Sequence, residues 1–67
     1  MKYYVNNKLV NYGIFRYYLI RSIKCQVNFS LSDKEIHDIY FDYYNDMKCN
    51  GTGISFKDKM DYKIRED

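Results

Sequence analysis

The sequence lacks the residues and runs that mark metal-binding, disulfide-linked and membrane proteins. It has two cysteines and one histidine, and Cys25 and Cys49 do not have the paired spacing of a zinc site. No apolar run approaches the roughly 18 residues that a membrane span needs, and Met1-Lys2 leads directly into alternating polar sequence. We therefore expect a cytoplasmic protein with reduced thiols, no signal peptide, no membrane contact, no metal and no cofactor.

Glycine is scarce, and no nucleotide-binding or catalytic motif is present. The Gly-Thr-Gly run at residues 51–53 lacks the further glycines and the lysine that cradle phosphate, and it follows a helical pattern where such loops follow a strand. His37 has Asp33 and Asp38 nearby in the sequence but no serine or cysteine placed as a nucleophile. These absences predict a protein with no catalytic residues, which is not an enzyme.

Acidic residues are missing from the first 31 positions. This part holds five bases and no acid, whereas all nine acids and the other six bases follow from Asp33 onward. The two parts therefore carry formal charges of +5 and −3, which make up the net charge of +2. Two interpretations are open, a dipolar surface or mutual pairing of the two parts.

Tyrosine is abundant, with nine Tyr and four Phe among 67 residues. A chain of this length, residues 1–67, has room for one small domain that buries about 60% of its unfolded surface. Each aromatic ring buries far more area than a small aliphatic side chain. We expect tyrosine to supply much of the core.

The clearest element is a helix over residues 31–51. Ser32 and Glu35 match a capping box, and Leu31 is placed to pack on Ile36 as a hydrophobic staple. Asn50-Gly51 supplies residues that tolerate the left-handed conformation in which a helix ends. The predicted buried side of this helix holds Ile36, Ile39, Tyr40, Tyr43 and Met47.

A second side of this helix is acidic. Carboxylates recur at steps of three, four and four residues, which at about 100° per residue places them in one line beside the apolar side. We call these residues the acidic stripe: Glu35, Asp38, Asp42 and Asp46. A hydrolase would need its carboxylates to converge in a cleft, so the stripe is interpreted as either a solvated face or a surface that binds a partner.

Two hairpins and a first helix complete the prediction. Residues 2–5 and 8–10 are β-prone and flank Asn6-Asn7, a pair that accepts positive φ. Residues 54–56 and 60–64 alternate around a connection at 57–59. Asn11 is placed to cap a helix. The predicted buried side of this helix holds Phe15, Tyr18, Leu19 and Ser22, with Tyr12 and Ile23 at its edge.

The end of this first helix is ambiguous, because residues 23–31 alternate strictly between apolar and polar, as strands do. We predict that the helix ends at residues 22–24 and that residues 25–29 are extended. A long strand through residues 14–29 is the alternative. With either choice, the hairpins predict an α+β fold in which a small antiparallel sheet packs on helices as a two-layer sandwich.

The basic first part suggests a second surface. Lysines and arginines interleaved with tyrosines suit phosphate contact and base stacking, and the alternative nucleic-acid-binding residues are Arg16, Tyr17, Arg21 and Lys24. The sequence pI of about 8.5 is below that of a dedicated nucleic-acid binder, so free nucleic acid is not the expected partner. A third hypothesis is a homodimer or other homo-oligomer formed through exposed tyrosines.

Two short runs carry a resemblance. The run YYVNNKLV at residues 3–10 resembles the opening hairpin of a set of very small phage proteins, and TGISF at residues 52–56 looks like their C-terminal part. The resemblance implies an accessory product of a phage or mobile element of low-GC Gram-positive bacteria. Such products are often anti-defence inhibitors, including anti-CRISPR proteins, that act in the host cytoplasm by binding. The implied partner is a host protein or nucleoprotein, such as a CRISPR effector or another defence component. Because carboxylates at helical spacing can meet the arginines and lysines of a DNA-binding groove, we expect the acidic stripe to bind this partner in place of nucleic-acid phosphates.

Overall fold

The computed structural model describes residues 1–27 and 30–66, and it shows a small α+β fold. The elements in chain order are β1 (Lys2–Val5), β2 (Lys8–Val10), α1 (Tyr12–Gln26), α2 (Asp33–Asn50), β3 (Ile54–Ser55) and β4 (Asp61–Arg65). The four strands form one antiparallel sheet in the order β2-β1-β4-β3. The predicted fold class, with N-terminal and C-terminal hairpins in one sheet beside two helices, is confirmed.

The N-terminal hairpin turns at Asn6 and Asn7, whose φ angles are 51° and 67°. Asparagine tolerates this left-handed region, and two such residues in succession fit the tight turn that matches the twist of paired strands. The turn is also tied to β4, because Asn6 Oδ1 accepts from the Asp61 amide at 2.8 Å and the Asn6 amide donates to the Asp61 carbonyl at 2.9 Å. The turn residues therefore set the register of two strand pairs.

The C-terminal hairpin closes through a loop at residues 56–60. The Phe56 amide donates to the Met60 carbonyl at 3.0 Å, and Lys59 takes a positive φ of 67°. The two hairpins join where β1 pairs with β4, with Tyr3 opposite Ile64 and Tyr4 opposite Lys63. Residues from the two ends of the chain thus form the centre of the sheet.

Helix α1 begins as predicted and ends later than predicted. Asn11 Oδ1 accepts from the Ile14 amide at 2.9 Å, which is the expected cap. The predicted end at residues 22–24 is wrong, since the helix runs to Gln26, and the alternative strand is wrong over residues 14–26. The physical reason is Ile23: it lies four residues after Leu19 and is only 1% exposed, so helical continuation buries it. Residues 28–29 lie outside the described residues.

One tyrosine of α1 was placed incorrectly by the pattern. Tyr18 is 36% exposed, whereas Phe15, Leu19 and Ser22 are buried as predicted. Of the two residues predicted at the edge of this side, Tyr12 is 43% exposed and Ile23 is buried. The buried side is therefore rotated toward Ile23. A tyrosine at the margin of a helix face can keep its ring partly in water, because its hydroxyl is readily solvated.

Helix α2 matches the prediction at both ends. The Glu35 amide donates to Ser32 Oγ at 3.2 Å, and the Ser32 amide donates back to Glu35 Oε1 at 3.2 Å, which forms the capping box. Gly51 ends the helix with a φ of 66°, and its amide donates to the Met47 carbonyl at 3.0 Å. On the predicted apolar side, Ile36, Tyr40 and Met47 are buried, and Ile39 and Tyr43 are half-buried against the core.

The core lies between the helices and one side of the sheet. Strand alternation turns Tyr3 and Val5 of β1 and Tyr62 and Ile64 of β4 toward the helices. The buried core residues are Val5, Phe15, Leu19, Ile23, Ile36, Tyr40, Met47, Phe56, Tyr62 and Ile64. Aromatic rings thus supply much of the buried volume, as expected. Within residues 1–27 and 30–66, no helix covers the other side of the sheet.

Candidate functional site

The acidic stripe lies on the solvent side of α2. Burial of Ile36, Tyr40 and Met47 against the core turns the opposite side of the helix outward, and all four stripe carboxylates are on exposed residues. Because α2 is capped at both ends, the stripe is displayed on a well-defined helix.

The carboxylates of the stripe differ in their hydrogen bonding. Glu35 Oε1 accepts from Ser32 Oγ at 3.0 Å and is part of the helix cap. Asp46 Oδ1 accepts from Asn50 Nδ2 at 2.6 Å. Asp38 and Asp42 form no hydrogen bond or ion pair with another residue in the described part of the chain. The middle of the stripe is therefore the part that can accept hydrogen bonds from a partner.

Arg16 of the basic first part contacts α2, but not through the acids with which mutual pairing would join it. Arg16 Nη2 lies 2.8 Å from His37 Nε2, and its guanidinium carbon lies 5.7 Å from the centroid of the Tyr40 ring. A guanidinium can only donate, so His37 Nε2 accepts and the imidazole proton lies on Nδ1. Arg16 thus joins the helices through an imidazole and an aromatic face, away from the stripe.

The alternative basic residues are not brought together as one set. Arg16 is half-buried between the helices, whereas Tyr17, Arg21 and Lys24 are exposed. The last three share the outer side of α1 because they lie four and three residues apart. With Tyr17 61% exposed, this outer side offers a ring beside two cations.

Sequence reasoning missed a second basic surface, which we call the outer sheet face: Lys2, Tyr4, Lys63 and Arg65 on the side of β1 and β4 away from the helices. Cross-strand pairing places Tyr4 opposite Lys63 and Lys2 opposite Arg65. An open cavity of about 190 Å3 on this side is lined by Tyr4, Asn7, Lys63 and Arg65. The alternation of Lys63 and Arg65 was visible in the sequence, but nothing local showed that β4 pairs with β1.

A polar cluster ties α1 to the C-terminal hairpin. Ser22 Oγ donates to Asp58 Oδ2 at 2.8 Å and lies 2.5 Å from the Tyr62 hydroxyl, which donates to the Tyr18 carbonyl at 2.7 Å. Burial raises the pKa of Tyr62, although its bond to Ser22 acts in the opposite direction. His37 contacts Arg16 and not this serine, so the histidine and the Ser22 hydroxyl are not brought together.

Two further tyrosine pairs connect the elements around Tyr40. The Tyr12 and Tyr40 hydroxyls are 2.8 Å apart, and those of Tyr3 and Tyr44 are 3.2 Å apart. Burial, followed by the bond to Tyr12, raises the pKa of Tyr40. The bond to Tyr44, followed by burial, raises the pKa of Tyr3 to about 12. The raised pKa values keep the Tyr3 and Tyr40 phenols protonated at neutral pH, which suits packing and hydrogen bonding.

Other site chemistry is sparse. Within residues 1–27 and 30–66, no three His, Cys, Asp or Glu side chains come together as a metal site. Cys25 and Cys49 are exposed free thiols. Neither α1 nor α2 is long and apolar enough to cross a membrane, and no other helix occurs among these residues.

No protein-family model, curated protein or solved structure matches this chain. The exposed charges and rings of the chain itself are therefore the features that point to a function.

Proposed function

We propose that this chain is a non-enzymatic inhibitor that binds a host protein or nucleoprotein through the acidic stripe of α2. The observation that carries the proposal is the pair Asp38 and Asp42, which are exposed on a capped helix and unpaired within the described part of the chain. A carboxylate and a phosphate are recognised by the same donors, the guanidinium of arginine and the ammonium of lysine. A partner with a basic nucleic-acid groove is therefore the complementary surface.

The spacing of the stripe also suits a phosphate-binding groove. Asp38, Asp42 and Asp46 advance by about 6 Å per step along the helix axis, given a rise of about 1.5 Å per residue. Phosphate charges also repeat along each strand of a duplex, so a groove that binds nucleic acid carries several lysines or arginines. Successive carboxylates of the stripe can meet cations of such a groove.

The proposed setting is the cytoplasm of a host bacterium, where the chain acts as an anti-defence product of a phage or mobile element, of the anti-CRISPR type. Support comes from the resemblance of residues 3–10 and 52–56 to small phage proteins. The small core supports action by binding and not by catalysis, because a deep polar cleft would cost a large part of the stability of a domain of this size. In this setting the chain occupies a groove that a CRISPR effector or another defence component uses for nucleic acid.

One specific observation favours a second candidate, a nucleic-acid-binding regulator. Tyr17, Arg21 and Lys24 are exposed together on the outer side of α1. Arg16 contributes less to this surface, because its guanidinium is held by His37 and Tyr40. The acidic stripe remains the preferred surface, since its central carboxylates have no competing partner among the described residues.

Capture followed by displacement tests the proposed function. The immobilised chain is exposed to a nuclease-treated lysate of a low-GC Gram-positive bacterium, and retained proteins are eluted with a short DNA duplex. We expect a nucleic-acid-binding protein to be retained and then released by the duplex, because both ligands use one groove.

A matched pair of variants shows which surface is responsible. Asp38→Asn with Asp42→Asn removes two charges from the stripe, and Asp33→Asn with Glu66→Gln removes two acidic charges elsewhere. Only the first pair should abolish capture. If the retained protein binds the chain and its nucleic acid at the same time and the duplex does not release it, the proposed replacement of nucleic-acid phosphates by the stripe is contradicted.

A further inference from the structure

The outer sheet face combines basic and aromatic side chains, and the function proposed for the acidic stripe does not involve it. Strands β1 and β4 are the two central strands of the sheet, and their register puts the pair Tyr4–Lys63 beside the pair Lys2–Arg65. One aromatic ring and three basic side chains therefore lie in two adjacent cross-strand rows. Side chains on one face of paired strands lie about 5 Å apart, so these groups form one surface.

This surface is concave. A cavity of about 190 Å3 is lined by Tyr4, Lys63 and Arg65 with Asn7, and it adjoins one of about 230 Å3 that also includes Tyr4 and Lys63. Asp61 is the acid that β4 places on this side, two residues before Lys63, and its Oδ1 accepts from Ser55 Oγ at 2.6 Å. The Asp61 carboxylate is therefore engaged within the C-terminal hairpin.

We propose that the outer sheet face binds single-stranded nucleic acid. Its cations suit the phosphates of an extended strand, and the half-buried Tyr4 ring suits stacking by a base. An unstacked base is needed for such a contact, which favours a single strand over a duplex. Single-stranded DNA and single-stranded RNA both offer phosphates and unstacked bases. The test therefore compares the two.

The inference is independent of the proposed function, because the stripe lies on α2 and the outer sheet face lies on the opposite layer. It also departs from the expectation that free nucleic acid is not a partner. That expectation came from net charge, and net charge does not show that Lys2, Lys63 and Arg65 converge through strand pairing.

Fluorescence anisotropy with labelled oligo(dT), oligo(U) and a duplex, each about 15 nucleotides long, tests the proposal. We expect at least one single strand to bind at about 50 mM salt. If about three phosphates are neutralised, the affinity should fall about 20-fold on going to about 200 mM salt. The stronger of the two single strands identifies the preferred sugar.

Variants locate the binding surface. Lys63→Gln with Arg65→Gln should lower the affinity at least 10-fold and flatten its salt dependence. Tyr4→Leu should lower it about 5-fold or more without changing the salt dependence, because a ring makes no phosphate contact. The matched control, Lys34→Gln with Lys57→Gln, removes two exposed cations that lie outside both candidate nucleic-acid surfaces and should bind within about 2-fold of the parent chain.

Several results would overturn the proposal. They are no binding of either single strand at about 50 mM salt, equal affinity for the duplex, binding only to vesicles of anionic phospholipid, or an equal loss in the Lys34 and Lys57 control. Circular dichroism checks the fold of each variant. If Tyr4→Leu fails to fold, the Lys63 and Arg65 substitutions still decide the outcome, because neither side chain belongs to the core.

Discussion

Replacing Tyr62 by phenylalanine deletes one hydroxyl from the cluster that joins α1 to the C-terminal hairpin. The Tyr62 side chain is 1% exposed, and its hydroxyl donates to the Tyr18 carbonyl at 2.7 Å and lies 2.5 Å from Ser22 Oγ. The Ser22 proton is directed at Asp58 Oδ2. The Tyr62 proton is therefore shared between two acceptors, and both lose it in the variant.

The size of the effect follows from this arrangement. Ser22 keeps its bond to Asp58, and the ring of residue 62 keeps its packing, so the loss is that of one to two hydrogen bonds. Each contributes about 0.5 to 1.5 kcal/mol net, and we expect Tyr62→Phe to lower the free energy of unfolding by about 1 to 2 kcal/mol. A chain of this length has a total stability of about 3 to 10 kcal/mol, so the shift is measurable.

Urea denaturation followed by circular dichroism is the assay. The matched control is Tyr17→Phe, which deletes the same atom from a residue that is 61% exposed and should change stability by less than about 0.5 kcal/mol. Ser22→Ala combined with Tyr62→Phe should be less destabilising than the sum of the two single changes, because the residues share a bond. If the urea midpoint of Tyr62→Phe equals that of the parent chain, the hydrogen bonds of this cluster do not stabilise the fold and the reasoning is refuted.

Three further predictions concern the caps of α2 and the buried phenols. Ser32→Ala should cost about 1 kcal/mol in urea denaturation, because the Glu35 amide loses its acceptor. Gly51→Ala should also cost about 1 kcal/mol, because an L side chain is strained at a φ of 66°. The raised pKa values of Tyr3, Tyr40 and Tyr62 predict full stability below about pH 10 and a loss above it, because the unfolded chain releases these protons first. Tyrosinate absorbance at about pH 11 should show Tyr3, whose pKa is raised to about 12, still protonated while the chain is folded. Ionisation of all nine tyrosines without unfolding would contradict the assignment.

Helix α2 could be predicted in full because its signals are local. The capping box requires residues three apart, and the stop requires one residue that accepts positive φ. The exposure of Asp38 and Asp42 followed from the same periodicity, since the apolar side was clear. Neither feature depended on a distant part of the chain.

Helix α1 and the outer sheet face show where such reasoning stops. Ile23 satisfies both a helical spacing from Leu19 and the alternation of residues 23–31, so the local pattern did not distinguish the two, and burial in the core decided. The approach of Lys63 to Tyr4 depends on pairing between residues at opposite ends of the chain. Such pairing follows from the packing of the whole core and has no local signature.

The most direct test of the acidic stripe is one variant measured in two ways: Asp38→Asn, Asp42→Asn and Asp46→Asn together. These side chains are exposed, and Asn at position 46 can still accept from Asn50, so the free energy of unfolding should change by no more than about 0.5 kcal/mol. The affinity for the captured partner should fall at least about 10-fold, because several charge-assisted bonds weaken together. A folded triple variant that binds the partner at full strength would contradict the proposed function.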